Sequence, residues 1–222
     1  LNLIYLKEIM VKQRKEDKET MGEDITADKP REETKKSLLR ETIETILIAG
    51  LLALIIRTYI VQPFKIPSGS MQQTLQIGDH ILVNKFIYRF SSIEREDIVV
   101  FKYPKDEKRD FIKRAIAVEG DKLEIRDRMV YVNDAPTSPP YVYHDEGYLQ
   151  DEYYPPRDNF GPVTVPEDTV FVMGDNRENS LDSRYWGFLD IDKVKGKAFI
   201  IYWSWNNDDS SVRWGRTGKL LH

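Results

Sequence analysis

The 222-residue chain has no cysteine. That excludes disulfides, thiolate metal sites and a cysteine nucleophile. Only three histidines occur, His80, His144 and His222, and none stands at a spacing that metal ligation needs. A Ser-His-Asp arrangement would have to use His80 or His144. His80 follows the turn-like Gly78-Asp79 and opens a strand-like run, so it reads as a strand-end residue, and His144 has no better setting. Charge of one sign is missing as a block. The net charge of −4 comes from 33 Lys/Arg and 37 Asp/Glu mixed throughout, which leaves no footprint for nucleic acid. No metal or organic cofactor is implied, and nothing in the pattern implies an oligomer.

Long hydrophobic runs are absent with one exception. From Ile43 to Val61 the chain is apolar, and its centre, Ile46 to Ile56, carries no charge. At 1.5 Å per residue, about 20 residues cross a bilayer core. The run reaches that length if Arg57 snorkels to the far interface beside Tyr59. A buried core helix is the competing reading, but the flanks are polar and the centre has no hydrophilic face. We therefore expect a transmembrane helix over 41–62. Lys35, Lys36 and Arg40 precede it, which puts the N-terminus in the cytoplasm and 63–222 on the other side. Residues 1–40 are polar and mixed in charge, and are expected to form a disordered tail. Their first stretch is short, broken by Lys7 and Glu8, and does not read as a secretory signal.

After Pro63 the pattern turns to β. His80–Tyr88 alternates, Asp97–Tyr103 reads as a buried strand, and 105–110 as a charged hairpin tip. Phe111–Val118 is a strand. Leu123–Arg126 and Met129–Asn133 form a hairpin, and Thr169–Met173 and Lys197–Trp203 are strands. No stretch from 63 onward keeps helical periodicity. The expected fold is mainly β: antiparallel sheets in a barrel-like domain over 63–222, with a small inserted β subdomain over 122–168, preceded by the one N-terminal transmembrane helix. Residues 135–166, rich in Pro, Tyr and Asp, are an excursion whose role is not readable. Trp203, Trp205 and Trp214 suit either a lipid interface or the core.

Three stretches carry groups that chemistry can use. In Pro67-Ser68-Gly69-Ser70-Met71, proline and glycine shape a step that brings backbone close to a ligand and presents a hydroxyl. An ordinary turn is the plainer reading of those five residues. Lys113 lies inside an apolar strand, where alternation puts it on a face with Phe111, and Ile112 with Arg114. An inward lysine is costly unless neutral or paired, and a snorkelling edge lysine is the commoner case. Gly174 to Gly187 packs loop formers, Ser180, Asp182, Arg184 and Trp186 between two apolar strands. Such a loop is held by its own hydrogen-bond network. Lys85 reads as pointing to solvent or a carboxylate. Arg114, which stays protonated, reads as half of a structural pair.

Taken together, these motifs resemble type I signal peptidases, the membrane-anchored Ser/Lys proteases that remove signal peptides from exported proteins. The resemblance rests on Ile66-Pro-Ser-Gly-Ser-Met71 with Thr74-Leu75, on Gly78-Asp79 with Lys85, on Lys113-Arg114, and on Gly174-Asp-Asn-Arg-Glu-Asn-Ser-Leu-Asp-Ser-Arg-Tyr-Trp-Gly187. It covers roughly 38–222. Two departures affect loop shape: Gln73 stands where the family usually has proline, and Ala117-Val118-Glu119-Gly120-Asp121 where it often has Gly-Leu-Pro-Gly-Asp. The resemblance implies Ser70 as nucleophile and Lys113 as general base. It implies an oxyanion hole from the Ser70 N–H and the Ser68 hydroxyl. Ser180 would orient the lysine amine, and Asp182 and Arg184 would form a supporting ion pair. Phe64, Ile66, Met71, Leu75, Phe111 and Ile112 would wall two shallow pockets for small residues in an Ala-x-Ala pattern, although core packing competes for Ile66 and Leu75. The implied partners are signal peptides of exported preproteins and membrane lipid, at a plasma or thylakoid membrane. A tethered domain that binds exported segments without cutting them, and a Ser/Lys protease for other substrates, are the alternatives.

Overall fold

The computed structural model describes residues 35–137, 139–143 and 159–221. Residues 1–34 of the tail expected over 1–40, the middle of the excursion, His144 and His222 lie outside the described residues; the tail's last residues, from Lys35, are not disordered but already helical. The chain divides into two compact units, 1–50 and 51–222. Helix α1 runs Lys35–Ile55 and continues as a π-helical turn, Ile56–Ile60. Its stretch Leu39–Ile60 has the length and hydropathy of a membrane span, and none of it is buried in the protein. Side chains such as Leu47 and Leu51 are more than half exposed, which suits lipid rather than a packed core.

The second unit is built of two antiparallel sheets. Its strands are β1 Val61–Lys65, β2 Asp79–Asn84, β3 Ile98–Tyr103, β4 Asp106–Val118, β5 Lys122–Arg126, β6 Met129–Val132, β7 Ala135–Thr137, β8 Phe160–Thr164, β9 Thr169–Met173, β10 Leu189–Asp190, β11 Val194–Asn206 and β12 Ser211–Val212. The large sheet runs β1-β2-β11-β3-β4-β9-β10, with β12 added to β11. The small one runs β7-β6-β5-β8. Helix α2, Ser183–Trp186, is a single turn.

Strand β3 shows why the sheet is organised this way. Its four residues Ile98–Phe101 are all buried. Alternation sends Ile98 and Val100 to one core, with Ile66, Met71, Leu75 and Ile81, and sends Val99 and Phe101 to another, with Ala115, Val170 and Val172. A strand clad on both faces reads as a continuous apolar run, as Ile-Val-Val-Phe does. β4 is its neighbour, with Val99 opposite Lys113 and Val100 opposite Ile112. The small sheet closes a third core around Leu123, Ile125 and Phe171. The β5–β6 hairpin turns on Asp127 and Arg128, both at positive φ, the backbone that a two-residue hairpin loop requires.

The charged segment 105–110 is exposed at the end of the β3–β4 hairpin, as expected, with β4 already beginning at Asp106. Asp110 pairs with Lys195 of β11 at 2.7 Å, and Glu107 with Lys193, just before β11, at 2.8 Å. The expectation for Lys85 changes. Lys85 meets neither solvent alone nor a carboxylate. Its Nζ donates to the Thr58 carbonyl at 2.9 Å and its amide to Ile60 O, because the last helical turn leaves carbonyls unpaired. Arg114 is half of a structural pair as expected, with the buried Asp175; it is 1% exposed and Lys113 beside it 4% exposed, so both faces of β4 are covered here. His80 lies half-buried in β2 with its ring edge-on to Tyr202.

Candidate active site

β1 delivers the chain to Ser70 and β2 takes it away. Between them Ile66 N donates to Asp79 O and Gly78 N to Ile66 O, so the intervening loop is closed at its base. Gln72 N donates to Gly69 O, and Leu75 N to Met71 O, winding residues 70–75 into a tight turn. Gln73 sits at φ 83, a backbone closed to proline, whose φ is held near −65°. The departure at Gln73 therefore goes with a locally different turn.

The loop 174–187 grips this turn from the other side. Asn176 donates from its amide to Ser70 O at 3.1 Å, and from Nδ2 to Gly69 O at 3.3 Å. Thr74 Oγ1 donates to Asp175 Oδ2 at 2.6 Å. Gly174 is required by space: a Cβ there would stand 2.3 Å from Ser180 Oγ and 2.5 Å from Ser70 O. Asp175 is itself held by Arg114 through two hydrogen bonds of 2.9 and 2.8 Å, an ion pair with both partners buried. On the opposite side Arg216 donates to Thr74 O at 2.8 Å and pairs with the buried Asp79, which also accepts from Ser204 Oγ at 2.6 Å. Desolvation raises the Asp79 carboxyl's pKa, but the hydrogen bonds from Arg216 and Ser204 outweigh it and leave it below the usual range.

Lys113 arrives from β4. Its Nζ lies 2.6 Å from Ser70 Oγ and donates to the Ile112 carbonyl at 3.0 Å. The Phe111 ring lies under the amine, 5.4 Å from centroid to Nζ. Burial strips water from the ammonium and lowers its pKa to about 8; Asp182 and Asp175 pull it back up, and Arg184 pushes it down. A lysine so placed is about half neutral near pH 8, and a neutral amine can accept a hydroxyl proton. Among the described residues the Ser70 amide donates to no acceptor, and Ser68 is exposed beside it.

Asp182 and Arg184 form a two-pronged buried pair at 2.8 and 2.9 Å, and Asp182 also accepts from Gly174 N. Arg184 donates to Arg177 O at 2.6 Å, which ties the ends of the loop together. Burial acts first to raise the Asp182 pKa; Arg184 and the hydrogen bonds reverse it and hold the carboxylate ionised. Ser180 stands differently from the expectation. Its buried Oγ makes no hydrogen bond of acceptable geometry among the described residues, and so none to the Lys113 amine. It lies close enough to Asp182 to favour that carboxylate. The group that holds the amine besides Ser70 is the Ile112 carbonyl, which the lysine's own backbone puts within reach.

A shallow, solvent-open pocket flanks the pair, walled by Phe64, Ile66, Phe111 and Ile112 from the expected set. Lys65, Pro67, Ile81, Val100 and Asp110 complete it, all but Pro67 contributed by strands whose pairing no local pattern announces. Met71 and Leu75 do not line it. Both are fully buried, packed with Ile81, Val83 and Ile201, because the turn that exposes Ser70 Oγ points its apolar neighbours inward. Reading the residues one at a time missed Thr74, Asp175 and Asn176 as anchors of the turn. The dense polar run 174–187 was the only available signal.

The model of the family described as signal peptidase, peptidase S26, matches residues 39–203. This chain belongs to that family. Among similar proteins, a probable signal peptidase I-2 of Synechocystis is 39% identical over 79% of this chain and 78% of its own length. The signal peptidase I of Aquifex aeolicus is 36% identical over 75% and 85%, and that of Bacillus amyloliquefaciens 34% identical over 78% and 92%. A solved signal peptidase I from Enterococcus faecalis aligns at 31% identity and a TM-score of 0.40, over 48% of this chain and 97% of that one. The fold above therefore rests on this chain's own strand pairing. The family match takes in α1 from Leu39 onward, the Ser70 turn, β4 and the whole of the 174–187 loop.

Proposed function

We propose that the chain is a membrane-anchored serine endopeptidase that removes N-terminal signal peptides from exported preproteins. In this reading Ser70 is the nucleophile and Lys113 the general base. The observation that carries it is the 2.6 Å approach of Lys113 Nζ to Ser70 Oγ, with the lysine 4% exposed and its pKa lowered by that burial.

The neutral amine takes the Ser70 proton as Oγ attacks the scissile carbonyl. The Ser70 N–H and the Ser68 hydroxyl hold the oxyanion; losing one such donor costs about 2.7–4 kcal/mol in a serine protease. The lysine ammonium then protonates the leaving amine. An acyl-enzyme on Ser70 remains, and a water activated by Lys113 releases it. The Ile112 carbonyl orients the amine without adding a charge that would raise its pKa. Asp182 and Arg184 shape the loop beneath, with Ser180 against them. The pocket walled by Phe64, Ile66, Phe111 and Ile112 accepts a small side chain, in keeping with cleavage after Ala-x-Ala-like sites. The apolar helix anchors the domain in a plasma or thylakoid membrane, with the N-terminus cytoplasmic and 63–222 on the extracytoplasmic side.

The test is cleavage of a preprotein with an Ala-x-Ala site by the full chain in lipid or detergent, from about pH 6 to about pH 11. Wild type should cut once, with a rate that rises through about pH 8, and Ser70→Ala and Lys113→Ala should not cut. Cleavage by folded Ser70→Ala would sink the reading. Binding of the signal segment without cleavage by wild type would favour a tethered binding domain.

A further inference from the structure

The excursion after β7 returns to the active-site loop over a short stretch. Tyr143 N donates to Asp175 O at 2.8 Å, and Arg177 N donates to Tyr143 O at 3.0 Å, making a parallel bridge between Tyr143 and Asn176. Residues 139–143 thus lie along the segment that holds Ser70 through Asn176. Two residues earlier, the Tyr141 ring covers the Arg114 guanidinium, with Cζ 3.7 Å from the ring centroid. That is close contact for a cation over an aromatic face, and Arg stacks on rings better than any other cation.

Arg114 is the hub that the ring covers. It pairs with Asp175 through two prongs, donates to Glu96 O at 2.9 Å, and approaches Thr74 Oγ1 at 3.2 Å. Asp175 in turn accepts from Thr74, four residues after the nucleophile. A chain of contacts therefore runs from Tyr141 through Arg114 and Asp175 to the Ser70 turn. The Tyr141 hydroxyl has no hydrogen-bond partner among the described residues, so the ring face alone makes the contact.

We propose that Tyr141 is a positioning residue for the Ser70–Lys113 pair, and that the segment 139–143 is a strap that keeps Arg114 seated on Asp175. The proposal rests on the assignment of Ser70 and Lys113 above. The ring excludes water from the outer face of the guanidinium, which keeps the pair with Asp175 short and Thr74 in register. Asp175 also acts on Lys113 through space, raising its pKa, and Arg114 is the cation paired with that charge. Loosening the pair leaves the Asp175 charge less compensated. The lysine then holds its proton to higher pH, and the nucleophile turn is less well placed.

The experiment compares full-length wild type, Tyr141→Phe and Tyr141→Ala for kcat, KM and the pH at which kcat rises. Tyr131→Ala is the control, because Tyr131 stacks on Arg126 in the small sheet and tests the loss of such a contact away from the site. Tyr141→Phe should match wild type within about twofold, since it keeps the ring. Tyr141→Ala should lower kcat about tenfold or more, leave KM within about twofold, and move the rising limb to higher pH. Tyr131→Ala should leave the limb in place. Wild-type kcat and limb in Tyr141→Ala would overturn the proposal, as would a rise in KM alone, which would make Tyr141 a substrate contact. A kcat loss with an unmoved limb, matched by Tyr131→Ala at equal loss of melting temperature, would reduce the role to general stability and also overturn it. Activity retained in Ser70→Ala would instead bring down the underlying assignment, so the two failures are distinguishable.

Discussion

Replacing Lys113 with methionine should stabilise the protein at neutral pH and destabilise it at high pH. An unfolded lysine titrates near 10.4. In the fold the same amine is 4% exposed and titrates at about 8. Between those values the unfolded chain holds a proton that the folded chain has released, so wild-type stability rises with pH across that window and is lower below it. A gap of about 2.4 pH units corresponds to about 3 kcal/mol. Methionine has a similar volume and no charge, so the variant lacks this dependence. It also loses the hydrogen bonds to Ser70 Oγ and the Ile112 carbonyl, at about 1 kcal/mol each. The variant should therefore lead by about 1–2 kcal/mol near pH 7 and trail by about 1–2 kcal/mol above pH 10.4. For a domain of this size the swing amounts to roughly 6–12 °C in relative melting temperature. Paired melting curves of both proteins in the same detergent, at the two pH values, measure it directly, because other titrating groups cancel in the difference. The variant should be inactive at every pH. A stability difference that stays constant from neutral to high pH would refute the claim that burial strains the ammonium.

The buried pair below the site gives opposite signs. Arg184→Met should raise the pH at which activity appears, because the arginine's charge lowers the lysine pKa, and it should cost about 3–5 kcal/mol by leaving Asp182 buried and unpaired. Asp182→Asn should move the activity limb to lower pH in the protein that remains folded, which a pH–rate profile reads. Gly174→Ala should abolish cleavage and lower the melting temperature, since its Cβ would meet Ser70 O at 2.5 Å and Ser180 Oγ at 2.3 Å. Wild-type turnover in that variant would mean that the Ser70 turn moves freely.

Much of this molecule was legible from local pattern. The uncharged run from Ile46 to Ile56 can only be lipid-facing or buried, and the apolar stretch around it, Ile43 to Val61, reaches the length of a span with Arg57 at the interface. Alternation in His-Ile-Leu-Val and the continuous Ile-Val-Val-Phe run marked β2 and β3, because side-chain period is a local property of the strand. The groups able to do chemistry were visible too. Taken alone, the Pro-Ser-Gly-Ser step read as an ordinary turn and Lys113 as an edge lysine; only the resemblance to a family made them a nucleophile and a base.

Which groups meet was decided only by the tertiary structure. Lys113 looks like an edge lysine until β4 is placed between β3 and β9, where it can neither snorkel nor find a carboxylate within hydrogen-bond reach. Its lowered pKa is desolvation by neighbours from separate segments of chain, and no local window contains them. The resemblance made Met71 and Leu75 pocket walls, with core packing in competition for Leu75, and the turn's geometry drives both into the core. Ser180 read as the amine's partner, yet it rests near Asp182. Tyr141 carried no signal at all, because its importance lies in what it covers. Periodicity and composition are set by nearest neighbours along the chain, so sequence determines them. Burial, register and charge environment are set by segments far apart in sequence, and those exist only once the sheets have paired.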